Sequence, residues 1–142
     1  MNNEWERKLL QSAARSDETQ EQEFLELVDQ ADGNCSLDVV RVLMKTFSSK
    51  PDYGTQERVE SILATAKPEY VTRGILEELP RLVVEAPEWA ETLVGMEVDN
   101  RLDLLISVAK TMPENVKDCL CKLVYSEPFL DFYPNGKDFN LT

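Results

Sequence analysis

A helical pattern that returns after about thirty residues constrains this chain more than any other feature of its sequence. Glu57-Arg58-Val59-Glu60-Ser61-Ile62-Leu63-Ala64 matches Glu88-Trp89-Ala90-Glu91-Thr92-Leu93-Val94-Gly95 in residue type along most of its length, at an offset of 31. Glu23-Phe24-Leu25-Glu26-Leu27-Val28 begins in the same way. Between these copies the apolar positions of intervening helices also correspond: Val39, Val71 and Leu102, then Leu43, Ile75 and Ile106. One amphipathic hairpin of this length cannot bury its own stripe, so neighbouring hairpins must cover it. The expected fold is all-α, with stacked antiparallel helix hairpins in a HEAT-like α-solenoid. Five glycines and few β-branched runs argue against a sheet.

The helix boundaries follow from caps and prolines. Residues 3–14 read as a first helix carrying Trp5, Leu9 and Leu10, and Ser16 is the expected N-cap of a second over 17–31. Its buried stripe is Phe24, Leu27, Val28 and Ala31, so Glu18, Gln22, Glu26 and Asp29 fall on the opposite face. Ser36 caps a third helix, the stretch 48–54 is a loop, and Thr55 begins a fourth helix ending near residue 66. A helix from Pro68 is expected to kink or divide at Pro80, and Pro87 suits the first turn of the next. That helix puts Trp89, Ala90, Leu93, Val94 and Val98 inward, and Asp99 is placed to cap another over 100–110. A last helix spans about 113–125. The chain reads as one helical-repeat domain, residues 1–142, with 127–142 a non-helical segment packed on the final hairpin.

Charge narrows the function. The net charge is −12 and there is no histidine. Such a surface opposes direct nucleic-acid binding, which needs cations to displace counterions, and favours a basic protein partner reached by electrostatic steering. Eight acids and no base lie between Ser16 and Val40, and nine acids against three bases between Pro68 and Asp103. These two zones are expected to line one binding face.

The chemistry of an enzyme is missing. There is no histidine for proton transfer, no nucleophile elbow, no glycine-rich phosphate loop and no cysteine spacing suited to zinc. Glu77 and Glu78 are neighbours on a helix and diverge by ~100°, so they do not converge on one metal. No catalytic residue, metal or cofactor is expected, and a carboxylate-dependent metal hydrolase is the weakest reading. Cys35, Cys119 and Cys121 form an odd set of reduced thiols. No long apolar run follows Met1, so neither a signal peptide nor a membrane span is expected and the location is cytoplasmic.

Tyr70-Val71, Leu79-Pro80 and Ala86-Pro87-Glu88-Trp89 form a series that resembles the immunity protein 30 family, helical proteins encoded beside bacterial polymorphic toxins, including contact-dependent growth inhibition systems. The resemblance spans residues 24–106. After the tryptophan helix the family carries an arginine-isoleucine-leucine-asparagine run, whereas this chain reads Met96-Glu97-Val98-Asp99. The resemblance implies a toxin inhibitor that binds a cognate secreted toxin one to one and occludes its active site. The toxin's C-terminal domain is expected to be a basic nuclease, an RNase ahead of a DNase, met by a chain that is monomeric beforehand. Contact residues are expected from both acidic zones: Glu18, Glu26 and Asp29 from the first, Glu77, Glu78 and Glu85 from the second. The alternative is a helical-repeat adaptor or scaffold for a basic peptide or protein.

Overall fold

The computed structural model describes residues 2–50 and 54–142. Eight α-helices and a short 3-10 helix account for the ordered elements among them, with no strand: α1 (Asn3–Ser12), α2 (Glu18–Asp29), α3 (Leu37–Met44), α4 (Thr55–Leu63), α5 (Pro68–Glu85), α6 (Pro87–Ala109), α7 (Glu114–Val124), α8 (Glu127–Phe132) and the 3-10 turn Pro134–Asp138. The all-α class is therefore as expected. Two compact units divide the chain, Met1–Val71 and Thr72–Thr142.

In the first unit α1 packs on α2, and α2 and α3 each pack on α4. Phe24, Leu27, Val28 and Ala31 are buried as their spacing requires, with Val40, Leu43 and Ile62 beside them in the core. The turns after α2 and α4 lie side by side: the Gly33 amide donates to Thr65 Oγ1 at 3.3 Å, and Cys35 Sγ lies 3.9 Å from the same oxygen. Trp5 connects α1 to α2 by more than packing. Its indole Nε1 donates to the Leu27 carbonyl at 2.9 Å, which is one of the last-turn acceptors that α2 cannot satisfy from within.

The cap of α2 differs from expectation. Asp17, not Ser16, is the N-cap, accepting from the Gln20 amide at 2.9 Å. The Gln20 side chain in turn accepts from the Ser16 amide at 2.8 Å, so a reciprocal pair satisfies two donors at once. The carboxylate wins because it bonds the amide and complements the helix dipole together. Asp17→Ala should therefore cost about 1 kcal/mol in chemical denaturation, and Ser16→Ala a few tenths; equal costs would refute the assignment. Ser36 does cap α3, and Thr55 does open α4, whose preceding Gly54 is left-handed at φ 98°. Of the expected loop over 48–54, Pro51, Asp52 and Tyr53 lie outside the described residues.

Three further boundaries in the second unit or at its start are corrected. α5 runs unbroken through Pro80 to Glu85, so the proline removes one backbone hydrogen bond without dividing the helix. Leu76, Leu79 and Leu82, all buried around it, hold the helix in place across the gap. Within α6 Asp99 is not the cap of a new helix. The expected break is nevertheless present two residues on: two helices meet across a kink at Arg101, φ −155° and ψ 53°, before the second runs to Ala109, while the Asp99 carboxylate accepts from Asn135 Nδ2 at 3.3 Å. The segment 127–142 is not devoid of helix: α8 and the 3-10 turn occupy most of it. α8 packs on α6 and α7, and Phe129 and Phe139 are fully buried.

Candidate interaction surface

On α2 the apolar stripe faces the core, so the residues spaced between must face outward. Glu18, Gln22, Glu23 and Glu26 are all exposed and line a shallow depression with Thr19. Gln22 Nε2 approaches Glu26 Oε1 at 3.5 Å, an interaction within one helix face that leaves the charge intact. Asp29, at the far end of the stripe, is different: Arg58 of α4 reaches it at 2.6 Å. The expected trio therefore splits. Glu18 and Glu26 make no ion pair among the described residues, whereas Asp29 is paired within its own fold.

In the second unit Arg81 binds two of the acids of α5. Arg81 Nε bonds Glu78 Oε2 at 2.6 Å, and its Nη1 lies 3.9 Å from Glu85 Oε2. The Glu78 side chain is only 18% exposed, so it offers little to a partner, while Glu85 at 60% and the exposed Glu77 remain reachable. These spacings of three and four residues were legible in the sequence; the choice that Arg81 makes between partners was not.

Sequence reasoning missed the most unusual acid. Glu97 is 1% exposed, inside the core of the second unit. One carboxylate oxygen accepts the Thr72 hydroxyl of α5, and the other receives Arg101 Nε at 2.5 Å. Burial pushes its pKa up, and the Thr72 hydrogen bond and the Arg101 charge oppose that push. The signal was present: Ala90, Leu93 and Val94 define an inward face, and position 97 continues it at helical spacing with an arginine four residues on. Arg15 was also missed. It is buried at φ 46° between α1 and α2, with its guanidinium 5.0 Å from the Phe24 ring centroid.

Trp89, expected in the core, is half-buried, as is Tyr133, while Phe132 is 75% exposed. The three cysteine thiols are held up by burial first, which favours the protonated form and disfavours nucleophilic use. Among the described residues no group of three or more metal-binding side chains is brought together, and no helix is long and apolar enough to cross a membrane. Searches for related proteins returned no matching family model, no matching curated protein and no matching solved structure.

Proposed function

We propose that this chain is an immunity protein that neutralises a cognate bacterial toxin through the exposed acidic face of α2. The observation that carries this reading is the stripe Glu18, Glu23 and Glu26, exposed and making no ion pair among the described residues, in a stretch with no base from Ser16 to Val40. Like charges along one helix cost stability, and the fold compensates Asp29 and Glu78 elsewhere but leaves these three open. The matching partner is a basic surface such as the substrate cleft of a nuclease, which the acidic face would reach rapidly and cover. Glu77 and Glu85 form a secondary contact zone in this reading.

The test is co-expression with the C-terminal region encoded immediately upstream in the source genome. That fragment alone should arrest growth and degrade cellular RNA, and this chain should restore growth and copurify with it. A fragment that stays toxic beside well-expressed partner overturns the pairing. Reversing the stripe with Glu18→Lys, Glu23→Lys and Glu26→Lys should slow association about tenfold or more at low salt, with the difference shrinking as salt is raised. A complex that falls apart entirely at high salt would favour the adaptor reading, because a dedicated inhibitor is held by buried contacts once formed.

A further inference from the structure

Two helices meet across a kink at Arg101 within α6, and at residue 101 there is neither proline nor glycine to cause it. One hydrogen bond at the bend bears on its cause. Asn100 Nδ2 donates to the Met96 carbonyl at 2.9 Å, putting a side-chain donor on the acceptor that its own amide would use in a regular helix, and Arg101 then leaves helical geometry. α6 thus contains a joint, with a first half before Asn100 and a second half leading into α7.

The C-terminal segment crosses this joint. On the α7 side, the Tyr125 hydroxyl donates to the Phe139 carbonyl, and the two rings sit 6.0 Å apart. On the other side, the Tyr133 ring lies directly on Gly95 of the first half, where an added Cβ would overlap it, and Asn135 Nδ2 reaches Asp99 at 3.3 Å. Gly95 and Asp99 stand one turn apart on the same face, so Tyr133 and Asn135 grip that half as a pair. We infer that the segment from Tyr133 to Phe139 is a strap that fixes the joint in α6, tying the helix before Asn100 to α7 beyond it, and that lifting Tyr133 from Gly95 releases the joint.

The experiment is amide hydrogen exchange by NMR on the full chain. Gly95→Ala expels the Tyr133 ring without altering any residue of the joint. Exchange at Leu102, Leu104 and Leu105 should accelerate about tenfold, with the amides of Leu76 and Leu79 in α5 unchanged. Tyr133→Ala should reproduce the effect from the other side of the contact and serves if Gly95→Ala does not fold. Phe132→Ser, at the end of α8 immediately before the strap and 75% exposed, should leave exchange as it is. The inference is overturned if both strap variants are folded and leave residues 102–105 protected, or if α5 accelerates equally, which would mean a general loss of stability.

Discussion

Trp5→Ala should lower the stability of the first unit by about 4 kcal/mol, the largest single effect expected in this chain. Three losses coincide at the site. The indole is 6% exposed, so its removal leaves a cavity between α1 and α2 that neighbouring side chains fill only in part. The Leu27 carbonyl loses the donor that satisfies it at 2.9 Å, at the end of a helix where no backbone amide can replace it. α1 also loses its principal anchor near its N-terminal end, where Leu9, fully buried one turn on, becomes the next contact holding it down. Trp5→Phe separates these contributions: it keeps most of the apolar volume but not the donor, and should cost about 1 to 2 kcal/mol. Chemical denaturation followed by circular dichroism measures both. A loss below 1 kcal/mol for Trp5→Ala would show that α1 contributes little to the unit.

Arg101→Leu should destabilise the second unit by about 2 kcal/mol at neutral pH, whereas Glu97→Gln should leave it as stable as the parent or more so. The asymmetry follows from burial. Removing the arginine leaves a carboxylate in the core with the Thr72 hydroxyl as its remaining partner, and an uncompensated buried charge is costly; the partial exposure of Arg101 keeps the loss below the usual range for a buried pair. Removing the carboxylate's charge instead relieves desolvation and keeps an acceptor for Thr72. The sign of the pH dependence comes from the raised pKa of Glu97, caused first by burial. A carboxyl that holds its proton more tightly in the folded state contributes most below its unfolded pKa of about 4.3, and that contribution is lost as pH rises through the folded value. The parent should therefore lose stability relative to Glu97→Gln as pH rises from about 4 towards neutrality, and the Arg101→Leu deficit should shrink in acid. Adding Glu97→Gln to Arg101→Leu should restore most of the loss, a coupling that a double-mutant cycle reads directly. Independent, additive effects would show that the two side chains do not act as a pair.

The two acidic zones were equally visible in the sequence and proved unequal in the fold. Charge counts and helical spacing place Glu18, Glu26 and Asp29 on one exposed face, and each is exposed. Yet Arg58, 29 residues away from Asp29, pairs with one of the three, and nothing local announces a contact between α2 and α4. Glu78 and Glu85 share Arg81 at ordinary helical spacing, and the partial burial that makes Glu78 a structural group comes from how α5 packs.

Local periodicity and cap chemistry sufficed for the all-helical class, the order of the helices, the buried stripe of α2 and the start at Pro87, because each depends on residues within a turn or two of one another. Tertiary structure alone decided the rest. Pro80 stays inside a continuous helix because buried leucines on either side support the interrupted turn. Glu97 becomes a core residue because Thr72, 25 positions earlier, and Arg101 arrive together to replace its water. The C-terminal segment becomes helical because packing on α6 and α7 buries Phe129 and Phe139, a reward that six residues of α8 have no means of obtaining in isolation.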